Sequence, residues 1–329
     1  TMGAFENYVP KIYVDATRPN DSGNGLSWST AKKTLQAALD LATSGDQIWV
    51  KAGTYKPSSA YDLTNTSRYY HFRMKNGVAI YGGFAGTETS LSQRNISVNE
   101  TILSGDLNGD DSFDAANGGF QGTTGEDNCY HVFYHPNGLG LDNTAVLDGF
   151  TIKGGNASGS TPHSNGAGIY NSYNSPSLNH LKFINNSANY AGGALFNQFS
   201  SSSVSNCIFT DNYSDENGGA ILNYNSNVNI VNSLIYDNYT DYQGGGIYNS
   251  SNSATCNVTI TNTTIANNHG TQGGGIFNYN FNSSSYCTTN INNSILWGNT
   301  ASSSGKQLYI NSTTYTVTNI NNSCYSNAT

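Results

Sequence analysis

The chain has 329 residues and a formal net charge of −8, with 13 lysines and arginines against 21 aspartates and glutamates. Charged residues make up only 10% of it, and it contains 36 glycines and 23 tyrosines. This composition lacks the residues that long helices favour, so it excludes a mainly helical protein. The acidic balance offers no basic surface for nucleic acid, and no stretch approaches the roughly 20 apolar residues that span a bilayer. We therefore expect no nucleic-acid partner and no transmembrane segment.

The first predicted element is a helix over residues 30–43, which begins at a hydroxyl N-cap and stops before Gly45. Four apolar residues of this segment would share one helix face: Leu35, Ala38, Leu39 and Ala42. The open end of a stacked β-structure exposes backbone groups and apolar core. We therefore expect this helix to cap the N-terminal end of such a structure.

Three segments after the helix have the apolar pattern of strands: DQIWVKAGTY, GVAIYGGF and ETILSGD. Their candidate core residues are Trp49, Ile80 and Ile102. Four basic residues also lie in this part of the chain: Arg68, Arg73, Lys75 and Arg94. We predict that these are solvated loop charges, and the alternative is contact with a phosphate or carboxylate of a substrate.

An acidic loop at the end of these strands suggests a structural calcium site. Its oxygen-bearing side chains alternate along the chain at Asp106, Asn108, Asp110, Ser112 and Asp114. A hard cation that collects roughly six to eight oxygens suits this pattern. The loop departs from an EF-hand, because Asp111 and Asn117 replace the usual glycine and glutamate, so Glu126 or Asp127 would supply the missing carboxylate. The alternative is an acidic turn that bonds to its own backbone.

Two motifs repeat in phase through the second half of the chain. The first ends in a short apolar run and Asn, as in SLNHLKFINN, SVSNCIFTDN, NIVNSLIYDN, TITNTTIANN and NINNSILWGN, at intervals of 26 to 31 residues. The second is a glycine-rich run, GAGIYN, GGALFN, GGAILN, GGGIYN and GGGIFN. Apolar residues occupy every second position within each run, which is typical of short strands with one buried face. Each repeat therefore reads as two or three short strands.

One such repeat cannot bury its apolar face alone, so neighbouring repeats must stack. The prediction is an all-β chain that forms a parallel β-helix of about ten coils, in a single domain over residues 1–329. Residues 1–60 would form the cap and first coil, 61–147 irregular early coils, and 148–329 the regular repeats. Isoleucines and leucines would stack inside at positions 169, 195, 221, 247 and 276. Asparagines at 171, 197, 223, 249 and 278 would stack at a corner, where Asn tolerates left-handed backbone and its amides can bond one another.

The motifs resemble two groups of β-helix proteins. GGALFN with Phe209-Thr-Asp-Asn212, and GGAILN with Ile235-Tyr-Asp-Asn238, are similar to the repeat of the polymorphic outer-membrane proteins, which are bacterial surface adhesins. The opening, IYVDAT followed by GNGLSWSTAKKTLQAALDLATSGDQIWVKAGTY, resembles the start of secreted pectate-lyase-like proteins. Both resemblances imply a right-handed parallel β-helix. They leave the activity open, because this scaffold carries lyases, hydrolases and adhesins.

The repeat register predicts a group of stacked carboxylates. Two pairs of aspartates are each 26 residues apart: Asp211 with Asp237, and Asp215 with Asp241. Stacking at about 4.8 Å would place all four at one corner, close to the spacing of about 5–5.5 Å between the carboxylates of a retaining glycosidase. Tyr213 and Tyr239 would lie beside them and could hold a sugar ring. The alternatives are a solvent-exposed acidic turn and a second calcium site.

These observations favour a secreted or cell-surface protein for adhesion or carbohydrate binding, non-catalytic and monomeric. Exposed tyrosines such as Tyr190 would give flat surfaces for sugar stacking, and the partner would be an extracellular glycan or a cell-surface protein. The rival interpretations are a polysaccharide hydrolase or lyase that uses the stacked carboxylates, and a passive spacer.

The repeat also predicts where cysteines meet. Cys256 and Cys287 each lie four residues before a stacked isoleucine, so they should occupy equivalent positions in adjacent coils. The Cα atoms would be about 4.8 Å apart, which permits either a disulfide or a stacked pair of thiols. The histidines are predicted to have ordinary structural roles, although His131 and His135 would point to the same face of a strand.

Overall fold

A computed structural model of the chain describes residues 9–61, 63–64, 66–311 and 314–326. In these residues the chain winds through four parallel sheets as a β-solenoid with one α-helix, which confirms the predicted fold class. The longest sheet contains ten strands, and nine turns separate them. None of the helices in the described ranges is long and apolar enough to cross a bilayer.

The sheets are numbered in the order in which each regular coil visits them. Sheet 1 consists of Lys11–Val14, Gln47–Lys51, Ala79–Phe84, Val146–Asp148, Ser177–Asn179, Ser203–Ser205, Asn227–Val231, Cys256–Thr261, Cys287–Asn292 and Thr316–Asn321. Sheet 2 consists of Gly53–Tyr55, Thr101–Ser104, Thr151–Lys153, Lys182–Ile184, Ile208–Thr210, Leu234–Tyr236, Thr264–Ala266, Ile295–Trp297 and Cys324–Tyr325. Sheet 3 consists of Asn156–Ala157, Ser187–Ala188, Tyr213–Ser214, Tyr239–Thr240, His269–Gln272 and Thr300–Ser304. Sheet 4 consists of Phe133–His135, Ile169–Ser172, Leu195–Gln198, Ile221–Tyr224, Ile247–Ser251, Ile276–Asn280 and Leu308–Ile310.

Regular coils contain four strands, so the prediction of two or three strands per coil is wrong. The strand it missed belongs to sheet 3, where several strands are only two residues long, too short for an alternating pattern to be recognised. A separate antiparallel pair, Phe113–Asp114 with Gly119–Phe120, lies outside the four sheets. The described residues also contain four short 3₁₀ helices: Trp28–Thr30, Ser67–Tyr69, Leu91–Gln93 and Ala115–Asn117.

The predicted internal ladder is confirmed. Ile221 pairs with Leu195 in one neighbouring coil and with Ile247 in the other, and all three side chains are fully buried. One continuous apolar core runs from Ile12 to Leu296. Each inward residue thus packs on its equivalents above and below, which removes the apolar face of every coil from water.

The asparagine ladder is confirmed, but the reason predicted for it is wrong in part. Asn197 and Asn223 lie within strands of sheet 4, fully buried, and their amides bond one another along the stack. Left-handed backbone is found instead at the turn between sheets 1 and 2, at Asn206, Asn232 and Asn262, with φ of 56°, 51° and 52°. The two roles fall to different asparagines, and sequence alone does not separate them.

The paired glycines before sheet 4 have a steric cause. Gly218 adopts φ of +67°, which favours glycine. A Cβ on Gly219 would lie 2.4 Å from the carbonyl oxygens of Gly245 and Tyr239. Any larger residue would push adjacent coils apart at this corner.

The N-terminal helix is shorter than predicted. It spans Leu35–Leu41, with Thr34 as the N-cap that accepts from the Ala37 amide at 3.2 Å. The preceding residues are extended because Lys32 exchanges backbone hydrogen bonds with sheet 1 at Tyr13 and Asp15. The predicted apolar face is buried, and the helix contacts the first two strands of sheet 1. Its capping role and the right-handed sense of the winding stay predictions.

Two core assignments in the early coils need correction. Trp49 is buried, but it points away from the main core and stacks on Phe84 at 4.6 Å, whereas its neighbours Ile48 and Val50 point inward. Ile102 is half-buried, and Leu103 is the core residue of that strand. The rings of Tyr13 and Phe84 cover Trp49 on the outer side of the sheet, and sequence periodicity does not detect such contacts.

The prediction of solvated loop charges is wrong for Arg94 and Arg68. Arg94 forms an ion pair with Asp148 at 2.9 Å, and both side chains are nearly buried. Arg68 donates to the backbone oxygens of Glu126 and Asn156 at 3.0 Å and lies over the Tyr130 ring. Both arginines therefore fasten loops to the solenoid.

Candidate functional site

An insertion over residues 105–128 leaves the strand Thr101–Ser104 and crosses the outer face of sheet 3. Asn156 donates its side-chain amide to the Gly125 carbonyl at 2.7 Å. At Gly119, with φ of +84°, a Cβ would lie 2.9 Å from Ser187 Oγ and 3.2 Å from Tyr213 Cδ1. The insertion therefore lies close against sheet 3 and covers Tyr213, which is 4% exposed.

The insertion gathers three carboxylates. One oxygen from each of Asp106, Asp110 and Asp111 lies within 4.8 Å of the others, and Asp106 is buried. The pKa of Asp111 is raised to about 7, chiefly by burial and in smaller part by the negative charges of Asp106 and Asp127. Asn128, fully buried, donates to both oxygens of Asp111, while its own Oδ1 has no hydrogen-bond partner among the described residues.

Of the five oxygen ligands predicted from spacing, Asp106 and Asp110 belong to this cluster. The backbone amide of Asn108 donates to Asp127, and that of Ser112 to Thr124 Oγ1. Asp114 caps a 3₁₀ turn by accepting from the Ala116 amide at 3.0 Å. Asp114 therefore lies apart from the cluster of Asp106 and Asp110, because the chain turns into an antiparallel pair at residue 113.

Asp114 faces a cleft of about 270 Å³ that also contains Asp211, Asp237 and Tyr239, which we call the acidic cleft. The register places Asp211 and Asp237 in adjacent coils, both in left-handed backbone with φ of 51° and 52°. Burial raises the pKa of Asp237, and the charge of Asp211 adds to that effect. Tyr239 is half-buried at the edge of the cleft.

The other predicted pair, Asp215 and Asp241, lies apart from the acidic cleft. The Tyr213 hydroxyl donates to Asp241 at 2.7 Å, and Asp215 lines a separate cleft of about 200 Å³ under the insertion. Asp211 and Asp237 therefore line the acidic cleft together, whereas Asp215 and Asp241 lie outside it. Tyr213, covered by the insertion and bonded to Asp241, presents no open ring face.

A third cavity has a different character, and we call it the aromatic groove. It has a volume of about 660 Å³ and follows the corner between sheets 3 and 4. Its floor is the outer face of sheet 4, where Phe196, Leu222 and Tyr248 stack in adjacent coils. Residues of five successive coils line it, from Asn165 to Tyr279, so its length is about 19 Å at four steps of about 4.8 Å.

One wall of the groove comes from the turn between sheets 3 and 4. Bridges of Ala191 to Asn217 and of Asn217 to Gln243 fix the register of this turn. Tyr190 and Tyr242 therefore occupy equivalent positions two coils apart, 48% and 54% exposed. Glu216 occupies the same position in the coil between them.

The opposite wall is the next outward row of sheet 4. Register stacks Gln198, Tyr224, Ser250 and Tyr279 in this row. The Tyr224 hydroxyl accepts from Asn252 Nδ2 at 3.1 Å, which fixes the ring of this wall. The groove thus has aromatic rings on both walls and amides between them.

The groove has no charged lining residue in the part of the chain that the structure describes. Its lining residues are Thr161, Asn165, Tyr190, Phe196, Gln198, Asn217, Leu222, Tyr224, Tyr242, Gln243, Tyr248, Ser250, Asn252, Tyr279 and Phe281. Burial raises the pKa of Tyr190, and the charge of Glu216 contributes to that rise. Of the predicted ligand-binding residues, the groove contains Tyr190 and neither Tyr213 nor Tyr239. The sequence analysis overlooked one signal of this wall: Tyr190 and Tyr242 are 52 residues apart, twice the repeat of 26.

Comparison with known protein families supports the repeat. A sequence profile of the Chlamydia polymorphic membrane protein repeat matches residues 180–198 and 206–224, which confirms the resemblance seen in the motifs. A search of curated protein sequences gave no match. The crystal structure of pectate lyase Pel9A is similar with a TM-score of 0.46 and 16% identity, over 95% of this chain and 78% of that one.

Proposed function

We propose that this chain is a non-catalytic, adhesin-like β-helix protein of the cell surface or extracellular space, and that it binds a glycan chain in the aromatic groove. The observation that carries the proposal is the groove itself. Tyrosine rings offer flat apolar faces to sugar rings, and the hydroxyls and amides among them can pair with sugar hydroxyls. The match to adhesin-type repeats supports a surface location.

The rigid scaffold suits such a site. The groove floor is a stacked row in which Tyr248 lies parallel to Phe277, with centroids 5.2 Å apart and an interplanar angle of 3°. Side chains fixed by stacking lose little conformational entropy when a ligand binds. An elongated groove along the solenoid axis favours an extended ligand over a compact one.

The acidic cleft supports a second candidate, a polysaccharide hydrolase. Adjacent carboxylates of which one has a raised pKa are the groups that glycoside hydrolysis needs. A glycan array and a reducing-sugar assay on the same protein separate the candidates. Binding without release of reducing ends supports the adhesin-like module, and release that is lost in Asp237→Asn supports the hydrolase. The absence of both binding and release supports a passive spacer.

We also propose that the Asp106, Asp110 and Asp111 cluster holds a structural calcium ion. Three carboxylates gathered within 4.8 Å repel one another, and a hard divalent cation with oxygen ligands would offset that repulsion. The unpartnered Oδ1 of buried Asn128 beside Asp111 is a further oxygen that suits such an ion. The ion would stabilise the insertion over sheet 3.

A further inference from the structure

We infer that the aromatic groove selects neutral glycans and rejects polyuronates. This inference rests on the proposed function, and it adds the chemical class of the ligand. It is drawn from the charges, hydrogen-bonding capacity and geometry of the groove.

The charge distribution excludes an anionic ligand. Among the residues that the structure describes, none that lines the groove is charged. Residues 154–329 contain only two basic residues, Lys182 and Lys306, and neither lines the groove. The charge at the wall is negative, since Glu216 is exposed between Tyr190 and Tyr242. A carboxylate on every sugar would lose water without gaining a cation, and it would meet a like charge at the rim.

The hydrogen-bonding groups favour hydroxyls. Asn165, Asn217 and Gln243 line the groove with side-chain amides, each of which carries a donor and an acceptor. A sugar hydroxyl can donate to the amide oxygens and accept from the amide nitrogens, whereas a carboxylate only accepts. The Gln243 amide already donates to Gln272 at 2.9 Å, so the amide row is preoriented rather than free to turn toward an anion.

The geometry favours a chain of several sugars. Tyr190 and Tyr242 are two coils apart, about 9.6 Å along the axis. Their rings and the wall of Tyr224 and Tyr279 can therefore contact different sugars of one chain. Affinity should rise with chain length until the groove is filled.

The test is a glycan array that carries neutral hexose, pentose and N-acetylhexosamine chains beside polygalacturonate and alginate, probed with the intact protein and with Tyr242→Ala. The expected result is binding of at least one neutral chain, weakened about tenfold in Tyr242→Ala, with the uronate chains at least about fivefold weaker. Glu216→Gln and high salt should each reduce the difference in affinity between neutral and uronate chains. Asp40→Asn, which makes the same charge change in the first coil, should leave the difference as it is.

The outcomes separate this inference from the proposed function. A uronate chain that binds through Tyr242 as tightly as the best neutral chain overturns the neutral selectivity and leaves glycan binding standing. Failure of every chain to bind overturns glycan binding itself. Capture of a protein ligand at the groove, without any glycan, overturns both.

Discussion

Asn197 donates its side-chain amide to Asn223 at 3.0 Å, and Asn223 donates in turn to Asn249 at 2.9 Å, with all three residues fully buried. The row begins at His135, which bonds Asn171 at 2.7 Å. Each amide thus satisfies the acceptor of the next, inside a solenoid that excludes water. This ladder locks the register of sheet 4, and the floor and one wall of the aromatic groove depend on that register.

Replacing one member of this ladder should be costly. Asn223→Ala leaves the side-chain N–H of Asn197 and the side-chain oxygen of Asn249 without these hydrogen bonds. We therefore expect a loss of about 2–4 kcal/mol in the free energy of unfolding. Asn229→Ala, at an exposed position of sheet 1, should change it by less than about 0.5 kcal/mol. Chemical denaturation measures both. Equal losses in the two variants would contradict the stabilising role of the buried ladder.

A matched pair of isoleucines tests the inward and outward assignment. Ile221 is fully buried and Ile208 is 36% exposed, and both lie in strands of regular coils. Ile221→Ala should lose about 2–5 kcal/mol, because it removes apolar contact and leaves a cavity between two coils. Ile208→Ala should lose much less. Similar midpoints for the two variants would contradict the register.

Stability should fall between about pH 7 and pH 5 because of buried histidine. Burial lowers the pKa of His135 to about 4, below the ordinary 6.5. Its neutral ring donates to Asn171 and accepts from the Met74 amide, so a second ring proton would face another N–H group. The unfolded chain therefore binds this proton at a higher pH than the folded chain does, and stability is lost as the pH falls through 6.5. We expect His135 alone to account for roughly 2 kcal/mol of this loss.

His135→Gln checks this prediction, because glutamine keeps an amide donor and acceptor without titrating. The variant should show a weaker dependence of the unfolding free energy on pH across the same window. Buried His131, whose pKa is lowered by burial and by its neighbour His163, will leave part of the dependence in place. An undiminished slope in His135→Gln would refute the role of His135.

Much of the architecture could be predicted from the repeat. Spacing of 26 residues placed Leu195, Ile221 and Ile247 in one ladder, and the same reasoning paired Cys256 with Cys287, which the structure confirms as neighbouring free thiols. Prediction failed where a segment outside the repeat covers the solenoid. Nothing in the pattern around Tyr213 indicates that residues 105–128 lie over it, because such a contact follows from packing and not from periodicity.

The candidate site was predicted only in part. Tyr190 was found as an exposed tyrosine, whereas Tyr224 and Tyr279 could not be distinguished from other residues of the strands. The wall they form depends on an outward row of sheet 4 lying opposite a turn. That arrangement requires the angle between sheets 3 and 4, which no local pattern encodes.

Calcium should raise the melting temperature. At about 100 times its dissociation constant, an ion bound only by the folded state adds about 2.7 kcal/mol, or roughly 4 °C for a chain of this size. Asp110→Ala should abolish the difference between melts in calcium and in EDTA. Glu216→Gln, which also removes one negative charge, should retain it. Equal melting midpoints for the unaltered protein in the two buffers would contradict a structural calcium ion.

The glycine at 119 should be required for the insertion to lie on sheet 3. Gly119→Ala adds a methyl group 2.9 Å from Ser187 Oγ in left-handed backbone, a strain of about 1–2 kcal/mol before the contact is counted. Limited proteolysis should then cut within residues 105–128 several times faster. Gly122→Ala is the control, since φ is +62° there and nothing lies within 4 Å of a Cβ. Equal cleavage of both variants would mean that backbone strain alone, and not contact with sheet 3, controls the insertion.

The most direct test of glycan binding at the aromatic groove is a calorimetric titration of the best neutral oligosaccharide into three proteins. We expect Tyr242→Ala to weaken binding about tenfold, because the variant loses one stacking face. Trp297→Ala, which removes an aromatic residue 56% exposed on sheet 2, should bind as the unaltered protein does. Unchanged affinity in Tyr242→Ala, or an equal loss in Trp297→Ala, would contradict binding at the groove.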